Sequence, residues 1–219
     1  MPRPSKRARI SSLEIAKNSE FDQNENMPDS DVYYVPSFIS TELSDKWYSA
    51  LLELDRKPTL KVFGREVVQS RKIAAYSTDP NLTLKYSGQV VDMKYEYPPF
   101  SRLGVKFNHV MLNLYEDGTV YIGNHRDNIE NKVIASLSPL PDEDALVHKT
   151  KRPAEQLDDR KDKNSTSTAP VYRKSWILGP GSLVVMQGET QKHWKHEIAK
   201  ESKVTKGRIS LTFRQLINS

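Results

Sequence analysis

Short alternating runs of apolar and polar residues, closed by glycine or proline, recur along the chain from Val32 onward. Val32–Val35 reads as a strand stopped by Pro36, which has no backbone N–H to offer a ladder. Ser40 or Thr41 then caps a helix in which Leu43, Trp47, Leu51 and Leu54 return to one face, with Pro58 just beyond its end. From there the pattern turns to β. Val62, Phe63, Gly64 and Arg65 form the tip of a predicted hairpin, and Lys72–Tyr76 a short strand. His109–Tyr115 alternates imperfectly, Glu116, Asp117 and Gly118 signal a turn, and Val120–Asp127 resumes as a strand. Late in the chain Ser182–Met186 follows Gly179, Pro180 and Gly181, and Arg208–Phe213 follows Gly207. One helix among many short strands predicts an α+β, mainly β domain built as a sandwich, barrel or jelly roll.

The 219 residues suffice for one domain and a tail. Residues 1–30 are polar, rich in Ser, Asn, Asp and Glu, and are expected to be a disordered basic and polar tail; residues 31–219 form the domain. Between Pro139 and Pro170 apolar periodicity disappears, which predicts a flexible insert: either a mobile segment across the mouth of the fold or a disordered loop. No run approaches the roughly 18 apolar residues of a membrane span, and no apolar leader is present, so no membrane partner is expected. The net charge of +5 favours polyanionic partners. Part of it sits in Arg3, Lys6, Arg7 and Arg9, either a solvated arm or a nuclear-import or nucleic-acid-binding one. Without cysteine, any metal must be held by His, Asp or Glu.

His125 and Asp127 are two apart in a predicted strand, so imidazole and carboxylate share a face. Alone, that pair is weak evidence. His196 adds a second imidazole, and two imidazoles with one carboxylate make the facial set that leaves open positions on non-haem iron(II). By chemistry alone His193 competes with His196. Arg208, Ser210, Thr212 and Arg214 alternate onto one strand face. A guanidinium there would grip a carboxylate with two parallel hydrogen bonds; the competing reading is a row of surface charges on an edge strand.

Taken in order, these motifs become recognisable. Asn113, Tyr115, Asp117 and Gly118 are followed by His125 and Asp127, then Ile134–Ser138, Gly181 and Ser182, Thr190, Gln191, Trp194 and His196, and finally Arg208, Ser210, Thr212 and Arg214. The series resembles the AlkB family of iron(II)/2-oxoglutarate dioxygenases, and is most similar to its eukaryotic nucleic-acid repair demethylases, over about residues 32–217. The resemblance implies a double-stranded β-helix, or jelly roll, with a flanking helix and an N-terminal substrate-lid hairpin. It implies His125, Asp127 and His196 as iron ligands, its Trp-x-His pattern favouring His196 over His193. It assigns Asn113, Tyr115, Arg208 and Ser210 to 2-oxoglutarate, and Arg214 to the carboxylate next to the metal. It further implies Fe(II), 2-oxoglutarate and O2 as cofactor and co-substrates, and removal of N-alkyl groups from DNA bases with release of formaldehyde, succinate and CO2. RNA or protein is the alternative substrate, and a non-enzymatic nucleic-acid binder the alternative function.

A base must leave its stack to reach an enclosed metal. Phe63 matches the wedge of DNA-repair relatives, against the plainer reading of a ring packed under its own hairpin; Arg71, Tyr86 and Ser87 match their substrate lid. A monomer in the nucleus, or also the cytoplasm, is expected. The chain departs from the family at several points. Ser210 stands where many relatives carry Asn, Asn128 and Ile129 replace acidic residues, residues 97–107 are short for the usual helix, and Pro139–Asp144 replaces an arginine-containing strand.

Overall fold

The computed structural model describes residues 22–23, 27–54, 57–62, 65–79, 81–82, 84–86, 89–91, 107–129, 131, 133–140, 146–151 and 172–216. The larger sheet has eight strands in the spatial order β1 (Asp22–Gln23), β2 (Asp31–Val35), β12 (Ser182–Gln187), β9 (Val133–Ser138), β14 (Arg208–Arg214), β7 (His109–Tyr115), β4 (Arg65–Ser77) and β3 (Lys57–Val62). The smaller sheet runs β11 (Arg173–Leu178), β10 (Leu146–Lys151), β13 (Lys195–Ile198), β8 (Ile122–His125). A separate pair joins β5 (Leu84–Tyr86) to β6 (Gln89–Val91). All of these pairings are antiparallel.

The route of the chain defines the architecture. After β1 to β4, all in the larger sheet, and the separate β5–β6 pair, it rejoins the larger sheet at β7, crosses to the smaller at β8, returns at β9, visits β10 and β11, and returns again at β12. It then crosses to β13 and closes in the larger sheet at β14, between β9 and β7. This is the winding of a double-stranded β-helix, the jelly roll that the sequence suggests.

Both faces of the larger sheet are covered. On the outer face Val110, Leu112 and Leu114 of β7 join Ile209, Leu211 and Phe213 of β14, and helix α1 (Thr41–Leu52) packs there through Leu51 and Trp47. Ser40 is the cap, its hydroxyl accepting from the Leu43 amide at 3.3 Å. Ser44 pins the helix down by exchanging two 3.0 Å hydrogen bonds with the Leu140 backbone. The inner face meets the smaller sheet, where Tyr115, Ile134, Val184 and Met186 pack with Trp176, Trp194 and Ile198. The period of two in β7 and β14 therefore separates two interiors rather than inside from outside. All seven residues of each strand are buried, which is why the alternation of His109–Tyr115 looks imperfect.

Several boundaries differ from expectation. Before residue 31, residues 22–23 and 27–30 are described: β1 pairs with β2, Met27 is buried, and the Pro28 carbonyl accepts from the Trp194 indole at 3.0 Å. Within the expected 139–170 insert, residues 146–151 form β10, paired on both sides with β11 and β13. Backbone pairing supplies there what an apolar pattern does not advertise. β4 extends well beyond Lys72–Tyr76, whereas β8 stops at His125 and leaves Asp127 past its end. Val62 pairs with Arg65 as a hairpin requires, but Phe63, Gly64, Ser87, the basic cluster of residues 3–9 and residues 97–106 lie outside the described residues, as does the Tyr86 side chain. Among the described residues no helix is long and apolar enough to cross a membrane.

Gly118 closes the turn after β7. Its amide donates to the Val204 carbonyl at 2.9 Å, and its carbonyl accepts from the Glu201 amide at 2.7 Å. A Cβ at this position would run into the Glu201 carbonyl oxygen. Gly118→Ala is therefore expected to cost about 1–3 kcal/mol as the two loops are forced apart. Urea unfolding measures this, and an unchanged midpoint would mean that the loops separate without cost.

Candidate active site

A cleft between the two sheets gathers the chemistry-bearing residues. The larger sheet contributes Asn113 and Tyr115 from β7 and Arg208, Ser210, Thr212 and Arg214 from β14. His125 comes from β8, His196 from β13, and Asp127 from the loop after β8. β8 and β13 pair with His125 opposite His196, so their rings meet at a centroid distance of 4.3 Å. Nδ1 of His125 lies 2.8 Å from the Gly123 carbonyl, an acceptor only, so Nδ1 carries the proton and Nε2 keeps its lone pair.

Asp127 reaches the cleft differently from expectation. Its carboxylate is placed by a clamp, not by strand alternation. Oδ1 accepts from Nη2 of Arg214 at 2.8 Å, and Oδ2 lies 3.6 Å from Nε2 of His196. The Asp127 amide donates to Oε1 of Gln191 at 3.0 Å. Burial alone would raise the Asp127 carboxyl, but the charges of Arg214, His196 and His125 and the Arg214 hydrogen bond hold it at about 2. Burial lowers His196 to about 4, against the opposing pull of Asp127. An ionised Asp127 and a neutral His196 are the protonation states that metal ligation requires of them.

Among the described residues no three His, Asp or Glu side chains are drawn tightly enough to form a ready-made metal cage. The three are adjacent, with Asp127 turned toward Arg214. The donor types still fit a facial iron site, and His193 is not among them. It sits on α2 (Thr190–His193), 4.0 Å from Glu189, and does not line the cleft.

Two guanidiniums on one strand face mark the cleft as an anion site. Arg208 is 2% exposed, stacks over the Tyr115 ring at 4.4 Å, and leaves Nε and Nη1 without a hydrogen-bond partner. Arg214 likewise leaves Nε and Nη1 unpartnered. These arginines do not lie on an exposed edge: β14 is flanked by β9 and β7. Burial pulls the Arg208 guanidinium below its usual range, opposed by Tyr115. Buried donors without acceptors fit a carboxylate ligand. Ser210 lines the same cleft, its hydroxyl 3.3 Å from the hydroxyls of both Ser136 and Thr212.

Arg71 is the clearest displacement. Expected on a substrate lid, it is 7% exposed inside the cleft, its Nε donating to Oδ1 of Asn113 at 2.8 Å. The cause is the length of β4, which places Arg71 on the same inward face as buried Ile73 and Ala75. Asn113 therefore turns its NH2 away from Arg71, where it remains available as a donor. The sequence motifs include Gln191 without a role for it, and they pass over His109, fully buried opposite Arg214 with both ring nitrogens unpartnered. An unexplained His inside an apolar strand is the one signal that would have found it.

Burial and the Arg214 charge lower His109 to about 3. In the fold His109 and His196 stay neutral, whereas the unfolded chain protonates them below about pH 6.5. Protons thus favour the unfolded state, and stability of the metal-free protein is expected to fall by a few kcal/mol between pH 6.5 and 4. Asp127 adds to the loss as pH drops from about 4 toward 2. Urea titrations at pH 7.5 and 5 check this; equal stability would mean that neither imidazole is held neutral.

The chain belongs to the 2OG-Fe(II) oxygenase superfamily, whose family profile matches residues 31–214. Within that superfamily it falls in the AlkB family of iron(II)/2-oxoglutarate dioxygenases. It is 28% identical to "DNA oxidative demethylase ALKBH2" of Arabidopsis thaliana, over 86% of this chain and 67% of that protein. To the Homo sapiens protein of the same name it is 31% identical, over 72% of this chain and 61% of the relative. "Alpha-ketoglutarate-dependent dioxygenase alkB homolog 3" of Rattus norvegicus is 31% identical over 51% of this chain and 36% of its own length. A solved prolyl hydroxylase from Trichoplax adhaerens, bound to a hypoxia inducible factor peptide, superposes with a TM-score of 0.48 at 11% identity, covering 84% of this chain and 83% of that one.

Proposed function

We propose that this protein is an iron(II)- and 2-oxoglutarate-dependent dioxygenase that removes N-alkyl groups from DNA bases, acting as a monomer in the nucleus. One observation carries the reading: a buried, donor-only guanidinium, Arg208, faces the cleft that also holds His125, Asp127 and His196. Such a charge is stable when a carboxylate completes it. The named activity of the two ALKBH2 relatives supports DNA as the substrate.

His125 Nε2, Asp127 Oδ2 and His196 would hold the iron, which with 2-oxoglutarate and O2 supplies the oxidation of an N-alkyl carbon. Arg208 takes the distal carboxylate with its unpartnered N–H groups. Asn113, its oxygen occupied by Arg71, presents its NH2 to the same ligand. Arg214 occupies Oδ1 of Asp127, so the carboxylate offers the metal one oxygen. Met111, Ile122, Met186 and Ile198 line the remaining wall and exclude water. The side chains fix and enclose the reacting groups rather than exchange protons.

Incubation with Fe(II) and 2-oxoglutarate should remove methyl from 1-methyladenine or 3-methylcytosine in DNA oligonucleotides, with formaldehyde and succinate formed. Matched RNA and peptide substrates run alongside separate the DNA reading from its alternatives. Turnover confined to RNA or peptide would move the substrate. Metal-loaded protein that consumes no 2-oxoglutarate on any of them would leave only a nucleic-acid binder.

A further inference from the structure

We infer that Gln191 is a positioning residue for the metal centre, setting where Asp127 stands relative to His196; this rests on the reading of Asp127 and His196 as metal ligands. The observation is a side chain with both ends in use. Gln191 is 4% exposed; its Oε1 accepts from the Asp127 amide at 3.0 Å and its Nε2 donates to Met186 Sδ at 3.6 Å. The thioether accepts only, so the amide has one orientation: oxygen toward Asp127, nitrogen toward β12.

The place of Gln191 in the chain gives this contact its meaning. β8 ends at His125, so no ladder bond holds the Asp127 backbone. Gln191 stands five residues before His196, on the short turn that feeds β13. That turn is itself anchored. Thr190 donates to the Gln187 carbonyl at 2.6 Å and accepts from the Asp31 amide at 3.0 Å, and the Trp194 indole donates to the Pro28 carbonyl. Gln191 thus ties a loop-borne ligand to the segment carrying the next ligand. Arg214 grips the carboxylate from the other side. Backbone and side chain of Asp127 are fixed separately, and only Oδ2 stays turned toward His196.

Groups that orient a ligand without touching the metal are typically worth about 10–100-fold in metal affinity. The test is Co(II) titration of the full-length protein, followed by visible absorption, with thermal melting of the metal-free form alongside. Gln191→Asn keeps the amide but falls one methylene short of the Asp127 amide, and Gln191→Leu removes the acceptor. Both are expected to weaken Co(II) binding by about 10–100-fold and to alter its absorption spectrum. Gln191→Glu keeps reach and acceptor, and should retain affinity within a few-fold, although it loses the bond to Met186. A purely structural role predicts instead that all three lower the melting temperature and leave affinity untouched. Should Gln191→Leu fail to fold, the Asn and Glu pair decides. Wild-type affinity in Gln191→Asn overturns the inference alone; a wild-type protein that takes up no Co(II) overturns the oxygenase reading with it.

Discussion

Asp127→Ala is expected to abolish turnover and to destabilise the metal-free protein at the same time. The carboxylate has two duties, which the geometry separates: Oδ2 faces His196, while Oδ1 neutralises Arg214 at 2.8 Å. Without it two imidazoles remain, one ligand short of a facial set. If the lost ligand is worth about 4 kcal/mol in the transition state, turnover drops by about 10³-fold. Arg214 would then be buried without a counter-charge, a change that typically costs about 3–5 kcal/mol. Turnover assays and urea unfolding of the metal-free protein read the two effects independently. Asp127→Asn separates them further, because its amide oxygen still accepts from Arg214 while the ligand charge is gone. Turnover in Asp127→Ala above a tenth of wild type would remove Asp127 from the metal set. Loss of turnover with no loss of stability would mean that Arg214 finds another acceptor.

Chemistry-bearing residues were the most legible part of the chain, and strand boundaries the least. His125, Asp127, His196, Arg208 and Arg214 stand out because few other residue types serve their chemistry, and the fold gathers all five into one cleft. Strand alternation is nonetheless not what brings His125 and Asp127 together. They do not share a strand face, because β8 ends at His125 and Asp127 is held by Gln191 and Arg214. A hydrogen bond spanning 64 residues leaves no trace in local periodicity. Arg71 was misplaced for a related reason. Charged Arg65, Glu66 and Lys72 interrupt the apolar pattern, so the thirteen residues of β4 read as a five-residue strand with a lid before it. The strand β10 was hidden altogether, since four of its six residues, His148 to Lys151, are basic or polar and its order comes from two flanking ladders. The jelly-roll winding follows from those long-range pairings, and only the ordered series of motifs pointed to it in advance.

Arg208→Met is expected to separate ligand binding from stability, with opposite signs. In the ligand-free fold Arg208 is a cost: the guanidinium is 2% exposed, two of its nitrogens have no acceptor, and stacking on Tyr115 at 4.4 Å is its compensation. Cation–π contact of this kind contributes about 0.5–2 kcal/mol, less than the several kcal/mol that a buried ion forfeits in hydration. A methionine of similar length removes the charge and keeps much of the packing, so the ligand-free variant should melt at or above the wild-type temperature. Binding moves the other way. A charge-assisted hydrogen bond is worth about 1.5–3 kcal/mol, so its loss should raise the KM for 2-oxoglutarate by about 10–100-fold. Melting curves with and without 2-oxoglutarate test both halves together. Wild-type protein gains about 2.7 kcal/mol at 100 times Kd, whereas the variant at the same concentration gains little. Arg208→Lys should recover part of the affinity, because an ammonium restores the charge without the paired donors of the guanidinium. A variant that loses stability and binds 2-oxoglutarate as tightly as wild type would make Arg208 a structural cation whose partner is Tyr115, and the anion site of this cleft would then rest with Arg214.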